Sequence, residues 1–148
     1  MLTTKYPIKS PMPIQIDDGK MSLKQVQYQD VKQFASKASR ERVSISDTQN
    51  TLWFHIIYEA QVIGCCALYL AKKKIRIKGD WITQSYRGKG LGEFITNCRI
   101  EIARLLDYEN IEVLTLHPKY YESKGFVINK EIRKGIWHAD ICLNLLNE

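Results

Sequence analysis

Between Asp80 and Gly92 the chain leaves one kind of regular structure and enters another. Ile75 to Thr83 alternates apolar and charged residues at its start and reads as a strand. Leu91, Phe94, Ile95, Cys98, Ile102 and Leu106 recur at helical spacing, so residues 91–107 read as the longest helix. Between them stand Gly88, Gly90 and Gly92, at every second position. Glycine lets backbone turn tightly and approach a ligand with no Cβ in the way. The first amides of a helix lack intrahelical partners and share the positive end of the helix dipole. A strand, such a loop and a helix therefore make a site for a phosphate or pyrophosphate, or else a plain glycine-rich connection. The spacing is not the G-x-G-x-x-G of dinucleotide folds, and no Gly-Lys-Ser/Thr opens the helix as in a Walker loop.

The rest of the chain frames this step. Pro7, Pro11 and Pro13 mark residues 1–20 as an extended N-terminal arm, with a short strand at Ile14 to Ile16. A single domain is expected over 21–148. It begins with a weak strand at Met21 to Val26. Asp30 then caps a helix through Ala38, with Val31, Phe34, Ala35 and Ala38 on one face. Residues 51–58, Val62 to Leu70 and Ile75 to Thr83 follow as strands with short links, an antiparallel meander. After the long helix, Ile111 to Leu116 reads as a strand reached by a right-handed parallel crossover. Pro118 to Lys124 reads as a short helix opened by proline and ended by Gly125. Phe126 to Ile132 and Ile136 to Leu145 close the chain as a hairpin.

Composition narrows the classes of partner. With 148 residues the chain can bury a core without metal or disulfide staples. A formal charge of +6 favours anionic partners without choosing among them. The four cysteines, Cys65, Cys66, Cys98 and Cys142, form no C-x-x-C pair, which speaks against zinc and dithiol chemistry; no metal site is expected. Their apolar surroundings suggest buried free thiols, which suit a reducing compartment. The N-terminal stretch lacks an apolar signal region, and no apolar run reaches membrane-spanning length. A soluble, cytoplasmic protein is the expectation.

Two segments then resemble a known family. Arg87-Gly88-Lys89-Gly90-Leu91-Gly92 is similar to the Arg/Gln-x-x-Gly-x-Gly/Ala signature of the Gcn5-related N-acetyltransferases (GNAT). Tyr121-Glu122-Ser123-Lys124-Gly125-Phe126 resembles that family's Tyr-Glu-x-x-Gly-Phe segment, in the family's order and at a typical separation. The element order fits over about residues 21 to 145. The resemblance implies an α/β fold. Its mixed, mostly antiparallel sheet would splay between two central parallel strands, here 75–83 and 111–116, and carry flanking helices. It implies acetyl-CoA as acyl donor. The pantetheine would lie along Ile82, Thr83 and Gln84, and the pyrophosphate on the amides of Arg87, Gly88, Lys89, Gly90, Leu91 and Gly92. One departure is the short His117-Pro118-Lys119-Tyr120 stretch, where many members have an Asn and a longer segment.

Acyl transfer to an amine needs a neutral nucleophile, a donor for the developing oxyanion and a proton for the departing thiolate. The resemblance gives Tyr121 the role of acid, with Tyr120 as fallback. Asp80, near the end of a strand where the family often places a base, has the apolar neighbours Trp81 and Ile82, which would raise its pKa. His117 is a second candidate, as base or pantetheine contact. His55 and His138 lie in strands and read as structural. Lys72, Lys73, Lys74, Arg76 and Lys78 form a basic run, read as a solvated strand face or as a contact for a nucleic acid. Transfer of acetyl from acetyl-CoA to a primary amine in a ternary complex is the leading expectation. A GNAT-like enzyme acting on a nucleic-acid base, and a non-catalytic GNAT-like binding module, are the alternatives. The last strand is a candidate for pairing across a homodimer.

Overall fold

The computed structural model describes residues 13–143. Residues 1–12 of the expected arm, and residues 144 and 145 of the expected last strand, lie outside them. The strands are β1 (Gln15–Asp17), β2 (Met21–Val26), β3 (Thr51–Tyr58), β4 (Gln61–Leu70), β5 (Ile75–Ile82), β6 (Asn110–Thr115), β7 (Val127–Arg133) and β8 (Ile136–Cys142). The helices are α1 (Ala35–Arg40), α2 (Leu91–Leu105) and α3 (Pro118–Ser123). One sheet of 8 strands runs in the order β1-β2-β3-β4-β5-β6-β8-β7. Every neighbouring pair is antiparallel except β5 and β6, which are parallel across the α2 crossover. This is the mixed α/β architecture that the sequence implied.

Both faces of the central strands are covered, so β3 and β4 are apolar almost throughout rather than alternating. On one face α2 sets Ile95, Cys98 and Ile102 against Phe54, Leu68 and Ile75. On the other, Val31, Phe34 and Ala38 pack with Trp53, Cys65 and Trp81. The expected face of the first helix is therefore correct, but its start is not. Two 3₁₀ turns, Tyr28–Asp30 and Lys32–Phe34, precede α1, whose N-cap is Phe34. Asp30 belongs to the first of these turns, and its carboxylate accepts the Gln27 N–H at 3.1 Å. Tight turns consume the residues that helical spacing alone had assigned to α-helix.

The hairpin at the end of the chain forms as expected, with its last strand inside the sheet. Strand β8 lies between β6 and β7, so its backbone groups are taken on both sides. Among the described residues the free edges belong to β1 and β7, and β8 has none to offer a second copy.

Strand β5 contains the irregularity that matters most. Lys78 pairs with Ala67 and Trp81 with Cys65, so β5 carries one more residue than β4 over that interval. The surplus is a β-bulge, and Gly79 within it has φ +68. A bulge reverses the in-and-out alternation beyond it. Ile75 and Ile77 face α2, yet Trp81 falls in the opposite core while Asp80 and Ile82 turn to the α2 side. A Cβ at Gly79 would meet the Trp53 ring at 2.9 Å, and the left-handed backbone there disfavours any side chain. We expect Gly79→Ala to destabilise the fold by about 2–3 kcal/mol in urea unfolding. An unchanged midpoint would show that the bulge relaxes freely.

Candidate active site

Strands β5 and β6 pair only from Ile75–Ile111 to Ile77–Val113. Beyond that point β5 stays on β4 through Ile82, and β6 stays on β8 through Thr115. The two parallel strands therefore part, and their facing edges border a gap. At the β5 side of this gap the chain makes a 3₁₀ turn, Gln84–Tyr86, and enters the glycine loop.

The loop leaves its backbone open at the start of α2. Gly88 and Gly90 both have φ +77, and Gly90 is the N-cap of α2. A Cβ added at either would meet nothing within 4 Å, so both backbones border open space. No side chain caps α2, which leaves its first N–H groups to other partners. A hollow of about 400 Å³ opens beside this terminus, lined by Lys20, Tyr58, Lys89, Gly90 and Phe94 among others. Leu91 is buried in the core, so only its backbone faces the site. Gly92 serves another purpose: a Cβ there would come within 3.2 Å of the Tyr120 hydroxyl.

Arg87 is occupied within the protein. Its N–H bonds to the Gln84 carbonyl at 3.2 Å. Its Nε donates to the Ile82 carbonyl at 2.8 Å, and its two terminal nitrogens fork onto Glu41 at 2.8 and 3.1 Å. The guanidinium also lies 5.7 Å from the Trp81 ring centroid, and Trp81 Nε1 donates to the same Glu41 at 3.3 Å. Glu41, at the end of α1, therefore ties the 28–41 segment to the start of the loop. Nothing in the sequence pointed to a pair separated by 46 residues. Thr83 donates its N–H to the Ile63 carbonyl at 2.8 Å.

Asp80 pairs with Arg99 of α2. Arg99 is 1% exposed, whereas the Asp80 side chain is 42% exposed. Burial pushes the Asp80 carboxyl above its ordinary value, and the adjoining guanidinium opposes that rise. Tyr121 of α3 is electrostatically coupled to both and to Cys66. Burial raises its phenol well above the usual tyrosine value, the Asp80 charge adds to the rise, and Arg99 opposes it. The Tyr121 ring is wedged edge-on between Tyr120 and Phe126, with centroids 5.1 Å away on both sides. Tyr120 points elsewhere, its hydroxyl 2.9 Å from Thr96 Oγ1 on α2. The two tyrosines are thus separated by geometry, Tyr120 engaged by α2 and Tyr121 packed between two rings.

Arg99 is the member that sequence reading missed. The signal was present, since it lies four residues after Ile95 and three before Ile102, in the middle of the buried stripe of α2.

Comparison with known proteins places this geometry. The profile of the acetyltransferase (GNAT) family matches residues 18–126, about three quarters of the chain. The chain belongs to the GNAT acetyltransferase family. It is 28% identical over 91 residues to a protein of Chlorobaculum tepidum described as an uncharacterized N-acetyltransferase. That match covers 61% of this chain and 57% of the relative, so the chain spans little more than half of that protein's length. A GNAT family acetyltransferase from Elizabethkingia anophelis, solved with acetyl-CoA bound, superposes with a TM-score of 0.64 at 15% identity. The superposition covers 84% of this chain and 99% of that one. A mutant spermidine/spermine N-acetyltransferase from Vibrio cholerae superposes with a TM-score of 0.72 at 15% identity, over 88% and 98% of the two chains. At such identity these structures speak for the fold. Acetyl-CoA is the cosubstrate of the family.

The remaining candidates of this GNAT chain are placed as follows. His117 is exposed at the N-cap of α3, and its N–H bonds to Thr115 Oγ1 at 2.8 Å. His55 contacts the Asp30 carbonyl through Nε2 at 2.9 Å and stands edge-on to Phe34. His138 is held at both nitrogens, by Asn129 and Glu112, each at 2.9 Å. Cys65, Cys66 and Cys98 are buried free thiols, and Cys142 is half-buried. Burial pushes Cys66 and Cys98 up to about 12. Among the described residues, no helix is long and apolar enough to cross a membrane.

Three of the five cations of the basic run are engaged within the protein. Glu112 of β6, 3% exposed, accepts Lys74 at 3.0 Å, Arg76 at 2.8 Å and His138. Lys78 donates to the Ser46 carbonyl at 3.0 Å and lies over the Trp53 ring. Only Lys72 and Lys73 remain, exposed at the turn. Burial alone would raise the Glu112 carboxyl, but its three partners outweigh burial and hold it at about 2. A lowered pKa stabilises the fold above the unfolded value of roughly 4.3, and that stability is lost as pH falls toward 2. We expect Glu112→Gln to cost about 1–2 kcal/mol at neutral pH, since Lys74 and Arg76 are half-exposed and can rehydrate. Its denaturation midpoint should also vary less than the parent's between pH 5 and 2. Parallel pH curves would remove Glu112 from the acid stability.

Proposed function

We propose that the chain is an N-acetyltransferase that passes acetyl from acetyl-CoA to a primary amine by direct attack in a ternary complex. The observation that carries this reading is the gap between β5 and β6, with the open glycine loop at one side and the Asp80–Arg99 pair on the α2 side. The fit to the cosubstrate rests on the chain's own geometry. Unpaired strand edges suit an amide-bearing arm, and the uncapped N-terminus of α2 suits a pyrophosphate. The residues proposed to hold it are Ile82, Thr83 and Gln84 along the arm, and the loop of Arg87, Gly88, Lys89, Gly90, Leu91 and Gly92. Within that loop Gly88 to Leu91 would supply the amides. Arg87 would act by shaping the entry, because its own groups are already bonded.

The bound thioester supplies an acyl carbon activated toward amines. The chain supplies the proton handling. Asp80 would accept a proton from the incoming ammonium, its raised pKa bringing it closer to neutrality. Tyr121, kept protonated by burial, would give a proton to the departing sulphur. His117, exposed at the start of α3, is the second candidate for the base and has less to fix it in place.

The test is thermal shift with acetyl-CoA, followed by thiol release across a panel of amines. Occupancy at a hundred times Kd should stabilise the fold by about 2.7 kcal/mol. No shift at millimolar acetyl-CoA would count against an enzyme of this class. Gly90→Val should fold yet lose acetyl-CoA binding by at least tenfold, because a β-branched residue cannot hold φ +77 at an open N-cap. Unchanged affinity would sink the pyrophosphate assignment. Tyr121→Phe should bind acetyl-CoA normally and turn over about 10²-fold more slowly. Full turnover would exclude Tyr121 as the acid.

A further inference from the structure

The Arg99–Asp80 pair is a costly arrangement for stability alone. Arg99 is 1% exposed, and its Nε and Nη1 are buried without a hydrogen-bond partner, as is Asp80 Oδ1. Buried arginine is tolerated when its donors are filled, and replacing a buried ion pair by apolar groups is often neutral or stabilising. This pair is poorly filled, yet it sits beside the proposed chemistry. Its two ends also differ in access. The guanidinium is sealed beneath the sheet, while the Asp80 side chain is 42% exposed, with its Oδ1 buried. No ligand can reach Arg99, so any effect on acyl transfer must pass through its neighbours, of which Asp80 is the one it pairs with.

We propose that Arg99 is a positioning residue of the acyl-transfer site, an internal cation that holds the Asp80 carboxylate in one orientation at the gap between β5 and β6. The inference rests on the reading of Asp80 as the base. The groups facing Arg99 are Asp80 from β5, Cys66 from β4 and Tyr121 from α3, with Cys98 beside it on α2. Burial raises the Cys66 and Cys98 thiols, and Asp80 is the carboxylate that pairs with Arg99. The pair forms because the Gly79 bulge turns Asp80 onto the α2 face, where Ile95 and Ile102 flank Arg99.

The proton sequence balances. An ammonium N–H proton passes to the Asp80 carboxylate. The neutral nitrogen then attacks the acyl carbon, so that a C–N bond forms and the C–S bond breaks. Tyr121 gives its proton to sulphur and regains one from the now cationic nitrogen, leaving amide and free thiol. Asp80 finally releases its proton to solvent. Arg99 biases the first step by favouring ionised Asp80.

The experiment compares pH profiles of kcat/KM for the parent, Arg99→Met, Arg99→Lys and Asp80→Asn, with acetyl-CoA affinity and thermal stability measured alongside. Removing Arg99 removes the attraction that opposes the rise of Asp80. The acidic limb of Arg99→Met should therefore move to higher pH by one unit or more, with acetyl-CoA affinity within twofold of the parent. Arg99→Lys retains the charge and should return the limb most of the way, and it carries the test should the methionine variant not fold. An acidic limb unmoved in every folded Arg99 variant would overturn the proposal and leave the pair structural. Asp80→Asn judges the underlying reading separately. It should abolish the acidic limb, and a limb that survives in Asp80→Asn would show that another group is the base.

Discussion

One extra residue in β5 decides which face of the sheet each later side chain serves. Without the bulge at Gly79, strict alternation would carry Trp81 to the α2 side along with Ile75 and Ile77, and would turn Asp80 away from it. With the bulge, Trp81 fills the core beneath the 28–45 segment and donates its indole N–H to Glu41. Asp80 meets Arg99 instead. A single left-handed glycine thus sets both the packing that steadies the loop entry and the charge pair next to the gap. The cost of that backbone is offset by the two cores it allows to close.

The same bulge coincides with the end of parallel pairing. Strand β5 leaves β6 after Ile77, two residues before Gly79, and bulged strands bend. The gap that follows is bordered by strands still anchored on their outer sides, β5 on β4 and β6 on β8. An opening held this way is stiff. The backbone groups facing it are therefore held by the outer pairings, and the cost of ordering them has been met by the fold. The glycine loop follows directly, so the strand edge and the uncapped helix terminus form one continuous surface.

Much of this was legible in the sequence because the elements are local. Residues 51–58 are β-branched and aromatic and became β3 without change, and the stripe from Leu91 to Ile102 became α2. Pro118 opened α3 as its fixed φ predicts. The readings that failed needed information from distant residues. Whether Asp30 starts an α-helix or a 3₁₀ turn depends on how Val31 and Phe34 seat against Trp53 and Trp81. The fork of Arg87 onto Glu41, and the triple engagement of Glu112, join segments that no local pattern connects. Strand order is equally non-local: consecutive hairpin strands β7 and β8 pair as expected, but only the whole sheet shows that β8 is the inner one. Gly79 and Arg99 form an intermediate class. A glycine inside a strand and an arginine inside an apolar stripe were both visible violations of pattern, and such violations cluster where a fold carries function.

The environment of Tyr121 constrains how it can act if it is the acid. An ordinary phenol titrates near pH 10 and a thiol near 8.5. Burial and the Asp80 charge raise the phenol further, so handing its proton to a free thiolate is uphill. The transfer becomes favourable only if the phenol is reprotonated as the proton leaves. The attacking nitrogen, once bonded to the acyl carbon, is a far stronger acid than either group and supplies that proton. Tyr121 is then best placed as a relay between nitrogen and sulphur, and its raised pKa guards against loss of the proton beforehand. Arg99 fits the same logic from the other side. It opposes the rise of both Asp80 and Tyr121, favouring the ionised carboxylate while burial still holds the phenol high. One buried cation can meet both demands because a carboxylate and a phenol lie far apart in intrinsic acidity.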